Sequence, residues 1–204
     1  MIYYLFSGIN RKTGFTLEQA NYLKKDIPED ASIAFITSIP TDYDRDDEQL
    51  LTYIDLFHKI GINFKKYFMI DKRIDQFTAK KIMKEVDLVF LLGGSPELQM
   101  NFLVEYELTE VMKTIPMVLG VSAGAMNQGK RVIYRDDFDN HCLKDYPGLG
   151  IVDVSIFPHV DLKQPRCLEE VNEIKQIMPL LLLPNDSFVR IENGNTKIIG
   201  AYLN

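Results

Sequence analysis

The residues best suited to chemistry lie in Gly120-Val121-Ser122-Ala123-Gly124. This is the G-x-S-x-G pattern of a nucleophile elbow, in which a strand ends, a serine sits at the turn and a helix begins at once. The serine backbone is strained in such a turn, so its neighbours must be small, and Gly120 and Gly124 keep both flanks slim. The turn exposes Oγ for attack on a carbonyl and brings the next N–H, that of Ala123, near the position where an oxyanion forms.

A serine hydroxyl needs a base. The chain has three histidines. His58 falls on a helical stretch and reads as a surface or half-buried residue, and His141 falls in a polar, irregular stretch. His159 follows Phe157-Pro158 at the end of an extended apolar piece, where a base could share a rim with Ser122. Gly93-Gly94 follows another buried-looking strand. Adjacent glycines let backbone N–H groups approach a ligand closely, so an N–H there could pair with that of Ala123 as an oxyanion hole. The third member, which orients the histidine, is usually a carboxylate. Asp186, next to Asn185, and Asp136, Asp137, Asp139, Asp145 and Asp153 all remain open on chemistry alone.

These residues need a scaffold that brings strand ends together. Apolar runs at Ile2–Ser7, Ile33–Ile36, Asn63–Ile70, Leu88–Leu92 and Pro116–Val121 read as strands. Helical-period stretches separate them: Thr16–Lys25, a stripe of Leu50, Leu51, Ile54, Phe57 and Ile60 ended by Gly61, Ile74–Val86, and a run through Leu98, Phe102, Leu103 and Leu108. Alternation of this kind predicts right-handed βαβ units and an α/β fold of three layers, a mostly parallel sheet with helices on both faces. Ligand sites in open α/β sheets form outside the carboxyl ends of the strands, where Gly93-Gly94 and Ser122 fall. Beyond Ser122 the pattern predicts a short helix over 123–128, an extended piece over 130–134, an irregular polar stretch over 136–147, a helix over 168–178 and a buried strand over 180–183. Asn193-Gly194 between Phe188–Ile191 and Lys197–Tyr202 predicts a C-terminal β-hairpin.

The 204 residues fit one domain, 1–204, with 46% apolar and 25% charged residues and no linker-like tract. A formal net charge of −6 argues against nucleic-acid and anionic-membrane partners. Cys142 and Cys167 have no metal-ligand or redox spacing and read as free thiols, with a single disulfide the alternative. The N-terminus reads as a first strand rather than a signal peptide, and no apolar run approaches a membrane span. The expectation is a soluble cytoplasmic protein, monomeric or a small homo-oligomer.

Taken together, Leu92-Gly93-Gly94-Ser95, Gly120-Val121-Ser122-Ala123-Gly124-Ala125, Phe157-Pro158-His159 and Leu183-Pro184-Asn185-Asp186 resemble the peptidase E family. These are aspartyl dipeptidases related to cyanophycinases, with a class I glutamine amidotransferase-like fold, and the resemblance covers nearly the whole chain. It implies a serine peptidase working through an acyl-enzyme, with Ser122 as nucleophile, His159 as base and then acid, and the Gly94 and Ala123 amides as oxyanion hole. It implies no metal or organic cofactor, and a small peptide substrate with N-terminal aspartate or an aspartate-derived polymer. The family's third-member position, in a Leu-Pro-Glu-Gly loop, falls on Asn185, with a carboxylate one residue later at Asp186. Asp137 resembles a family carboxylate near the site and is a candidate additional acid. The family's Gly-Gly-Asn-Thr turn reads Gly93-Gly94-Ser95-Pro96. For an aspartyl pocket the candidate cations are Arg131, Arg135, Lys163 and Arg166. Two other readings compete: a non-catalytic binding or sensing relative with an impaired triad, and an esterase using the same elbow.

Overall fold

The computed structural model describes residues 1–136 and 139–202. In chain order its first half runs β1 (Ile2–Phe6), α1 (Leu17–Asp26), β2 (Ser32–Ile36), α2 (Tyr43–Lys59), β3 (Lys66–Ile70), α3 (Gln76–Glu85), β4 (Leu88–Leu91), α4 (Pro96–Glu105), α5 (Thr109–Met112) and β5 (Met117–Val121). There follow α6 (Ala123–Met126), β6 (Arg131–Asp136), β7 (Cys142–Pro147), β8 (Ile156–Phe157), α7 (Pro165–Ile177), β9 (Leu181–Leu182), β10 (Phe188–Glu192) and β11 (Asn195–Ile199).

A seven-stranded sheet in the order β11-β10-β1-β5-β4-β2-β3 forms the middle layer. β1, β5, β4, β2 and β3 are mutually parallel, whereas β10 and β11 join antiparallel at the β1 edge. Because side chains alternate across a strand, each central strand serves two cores. Ile33, Phe35, Leu88 and Phe90 pack with Leu23 of α1 and with Tyr53, Leu56 and Phe57 of α2. Ala34, Ile36, Val89 and Leu91 face the other way, onto Ala79 and Met83 of α3, Phe102 and Leu103 of α4, and Met112 of α5. Side chains such as Phe35, Phe57 and Phe90 are fully buried, each worth about 2 kcal/mol in apolar transfer. The expected mostly parallel sheet with helices on both faces is therefore present, and so is the C-terminal hairpin, with Asn193-Gly194 at its turn.

Local signals explain the boundaries. Thr16 caps α1 in a capping box with Gln19, whose side chain returns a bond to the Thr16 N–H. Pro96 opens α4 just after Ser95, whose hydroxyl accepts from the Leu98 N–H. The polar stretch before Pro147 differs from its expected irregular form: Cys142–Pro147 is a strand, paired antiparallel with β6. It is held by that ladder, by Arg131 on Asp145 at 2.8 and 2.6 Å, and by Leu143 and Tyr146 packing against the core, a pair too few to make a hydrophobic alternation. The run expected to continue as one helix to Leu108 instead breaks after Glu105, and Glu107 takes a φ of 52° before α5 begins. Cys142 and Cys167 are free thiols. Among the described residues no helix is long and apolar enough to cross a membrane.

Candidate active site

The carboxyl ends of the parallel strands converge on one rim, and Ser122 stands on its crest. β5 ends at Val121, the Ser122 N–H donates to the Phe6 carbonyl of β1 at 2.9 Å, and α6 starts at once. Ser122 has φ 51° and ψ −112°, a conformation that L-residues rarely adopt, held here by the packed elements on either side. The flanking glycines permit it. A Cβ on Gly120 would lie 2.4 Å from the Gly124 carbonyl oxygen, and one on Gly124 would lie 2.2 Å from that of Leu91.

His159 reaches the crest from a separate unit. β8 and β9 form a short parallel ladder beside the main sheet, and the chain leaves β8 through Pro158 into His159, whose φ is 58°. Ser7, fully buried just past β1, fixes this turn: its hydroxyl donates to the Leu183 carbonyl and accepts from the His159 N–H, both at 2.8 Å. The imidazole then bridges two elements. Its Nε2 is 2.8 Å from Ser122 Oγ and its Nδ1 is 2.6 Å from Asn185 Oδ1. An amide oxygen only accepts, so Nδ1 carries a proton, and in the neutral ring Nε2 is left as acceptor for the Ser122 hydroxyl, the tautomer a general base requires. Gly8 leaves room for this contact, because a Cβ there would stand 3.0 Å from Asn185 Oδ1 and 3.1 Å from His159 Cε1.

The structure thus brings Ser122, His159 and Asn185 into one chain of contacts. Asn185, not Asp186, occupies the Nδ1 position. Asp186 has a φ of 69°, its carbonyl accepts from Gln19 Nε2 at 3.3 Å, and it borders the smaller of two cavities at the crest. Asp137 lies outside the described residues. Asp145 and Asp153 are engaged elsewhere, with Arg131 and Lys130. Ala123 opens α6 directly behind Ser122, and Gly94 borders both cavities with a φ of 145°.

The larger cavity, about 870 Å³, runs from Ser122 and His159 toward Phe157, Tyr134 and Glu170. The smaller, about 560 Å³, lies toward Gly8, Arg11 and Asn185. Of the expected cations, Arg135 borders the larger cavity, but its guanidinium is held by Glu173 at 2.8 and 2.7 Å and by the His141 carbonyl at 2.6 Å. Arg131 is on Asp145, Arg166 contacts His141, and Lys163 stands in the turn before α7 with its backbone N–H on Asp161. Two further cations lie outside the sequence candidates: Arg45, which borders both cavities, and Arg11, which borders the smaller. Arg45 was legible only as a lone cation within the acidic start of α2. With the Gln49 amide turned oxygen-inward, its Oε1 accepts from Arg45 Nη2 at 2.9 Å and from Arg11 Nη2 at 2.8 Å.

Behind Arg45, Asp46 is fully buried and accepts from the Thr37 hydroxyl at 2.7 Å. Burial pushes its carboxyl up to about 6, with the nearby Asp71 charge adding to the effect and the Thr37 bond opposing it. A raised folded-state value means that the native protein holds this proton more tightly than the unfolded chain does. The contribution is complete below about pH 4 and is lost as pH rises through about 6. Asp46→Asn is therefore expected to flatten the fall in stability between those pH values, measured by urea unfolding across that range. An unchanged pH profile would remove Asp46 as its source.

The α/β sheet thus carries a strained serine at the end of a central parallel strand, with a histidine nitrogen 2.8 Å from its hydroxyl, the geometry that a nucleophile elbow requires. A family model described as Peptidase family S51 matches residues 6–199, and the chain belongs to that peptidase family. Among solved structures it is similar to one provisionally named a peptidase E protein from Listeria monocytogenes EGD-e, with a TM-score of 0.74, 15% identity and 97% of each chain covered. It is also similar to a peptidase from an acI-B1 Actinobacterium, with a TM-score of 0.68, 15% identity, and 98% of this chain and 87% of that one covered. At that identity the likeness concerns the fold. No match was found among curated proteins.

Proposed function

We propose that this peptidase is of the serine type and hydrolyses small peptides through an acyl-enzyme on Ser122. The observation that carries the reading is the unbroken line from Ser122 Oγ to His159 Nε2 at 2.8 Å and from His159 Nδ1 to Asn185 Oδ1 at 2.6 Å. Ser122 Oγ attacks the peptide carbonyl as its proton passes to Nε2, and the C–N bond breaks as the same proton passes to the leaving amine. Water then attacks the ester, giving its proton to His159, and the Ser122 hydroxyl is restored. Backbone N–H groups of Gly94 and Ala123 stabilise the oxyanion at each tetrahedral stage.

Asn185 positions the base. It holds the tautomer and the ring orientation, but a neutral amide offsets the imidazolium charge less than a carboxylate does. Asn185→Asp is accordingly expected to raise kcat on a cleaved peptide by about tenfold through stabilising that charge, with KM little changed. A loss of rate would show that the amide is required as it stands. The same neutral group favours one competing reading, a binding or sensing relative that retains the elbow without turnover. A dipeptide panel separates the two, with N-terminal aspartyl dipeptides placed first because the family resemblance implies them. Hydrolysis that disappears in both Ser122→Ala and His159→Ala supports the peptidase. Binding without turnover across the panel supports the relative.

A further inference from the structure

The Gly93-Gly94 turn is clamped from behind by two side chains that take no part in the Ser122–His159 contact. The Ser38 hydroxyl and Arg45 Nη2 both donate to the Gly93 carbonyl, each at 2.6 Å. Ser38 is fully buried just past the end of β2, and Arg45 sits in the first turn of α2, so the clamp is anchored on two rigid elements. One residue back, Gln99 Nε2 donates to the Leu92 carbonyl at 3.1 Å. Gly94 is what lets the clamp close. A Cβ there would lie 2.3 Å from Ser38 Oγ and 2.5 Å from Arg45 Nη2, and the φ of 145° is itself open mainly to glycine.

We propose that Arg45 and Ser38 are positioning residues of the oxyanion hole: by clamping the Gly93 carbonyl they fix and polarise the Gly94 N–H toward the Ser122 crest. This rests on the serine-peptidase reading and adds two residues to it. A trans peptide is planar, with C=O and N–H pointing opposite ways, and no peptide among the described residues is cis. Holding the oxygen against Arg45 and Ser38 therefore directs the Gly94 N–H away from them. The crest lies close by: a Cβ on Gly93 would stand 3.4 Å from Ser122 Cβ. Two donors on one carbonyl, one of them charged, draw electron density through the peptide and strengthen its N–H as a donor. They also remove the alternative in which the peptide flips and presents oxygen to a forming oxyanion.

Arg45 is costly to keep there, which argues that its charge is used. It is half-buried, and burial pushes its guanidinium down from the ordinary range, with the Asp46 charge opposing that shift and the Arg11 charge adding to it. Its Nη1 is buried without a hydrogen-bond partner among the described residues, and the nearest Asp46 oxygen is 3.8 Å away. A residue retained only to anchor α2 could be neutral.

The test compares Arg45→Met, Arg45→Lys and Ser38→Ala with wild type, each checked for an unchanged melting transition. On a cleaved dipeptide, Arg45→Met is expected to lower kcat by about 10- to 100-fold with KM within about twofold, because only transition-state charge is affected. Arg45→Lys is expected to recover part of the loss, and Ser38→Ala to show a smaller fall of the same kind. A raised KM with kcat retained would overturn the proposal and make Arg45 a substrate contact instead. A second readout does not depend on turnover. In protein labelled with 15N-glycine, the Gly94 amide is expected to exchange its proton faster with solvent, or to split into two signals, in Arg45→Met and Ser38→Ala. A Gly94 signal unchanged in both variants would overturn the clamp even in an active enzyme. Absence of turnover in wild type would count against the peptidase reading alone and leave the amide result to decide.

Discussion

Ser122→Ala is expected to lower peptide hydrolysis by about 10³-fold or more while leaving the fold intact. The side chain makes one polar contact that matters to the account, with His159 Nε2, and removing it leaves the Ser122 N–H on Phe6 and the start of α6 unchanged. Any residual rate would come from binding and from backbone donors on water attack. If Ser122 and His159 are nucleophile and base, His159→Ala should fall nearly as far, and the double variant little further than either alone, because such a pair acts as a unit. Steady-state kinetics on one cleaved dipeptide checks all three. Additive losses would mean that the two side chains do not share a step.

Gly124→Ala is expected to destabilise the protein by about 3 kcal/mol, although alanine is the better helix former by about 1 kcal/mol. The reason lies in what the new methyl would meet. It would stand 2.2 Å from the Leu91 carbonyl oxygen and 2.5 Å from its carbon, and both are backbone atoms of a fully buried central strand. Neither can rotate away, so α6 must lift from β4 and carry the Ser122 crest with it. Urea unfolding should show a lower midpoint at an unchanged slope. A variant as stable as wild type would mean that α6 packs less closely on β4 than described. Gly120 is constrained in the same way from the opposite side, with Gly124 O at 2.4 Å from its would-be Cβ.

These contacts show how far the sequence could be read. The Gly120-x-Ser122-x-Gly124 spacing is a local requirement of one turn, so it is visible in five adjacent letters, and the buried parallel strands announce themselves as apolar runs. His159 was legible from its place after Phe157-Pro158. The choice between Asn185 and Asp186 was not, because neighbouring residues in a loop point in different directions and only the backbone there decides which one faces Nδ1. Ser7 and Ser38 were invisible for a related reason. Each is a common residue whose partner is a backbone group 176 or 55 positions away. Arg45 read as one charge among the acids of a helix start, and its role depends on a carbonyl 48 residues further on. The β7 strand is not legible because only Leu143 and Tyr146 of its residues pack inward, at a spacing that makes no alternation.

The central claim is that Ser122 is a nucleophile activated by His159, and covalent capture tests it most directly. Wild-type protein treated with a fluorophosphonate and weighed intact should gain the mass of one adduct, and peptide mapping should place it on Ser122. Ser122→Ala should gain none, and His159→Ala should react far more slowly. A folded wild-type protein that stays unmodified under these conditions, or one modified equally well without Ser122, would contradict the account.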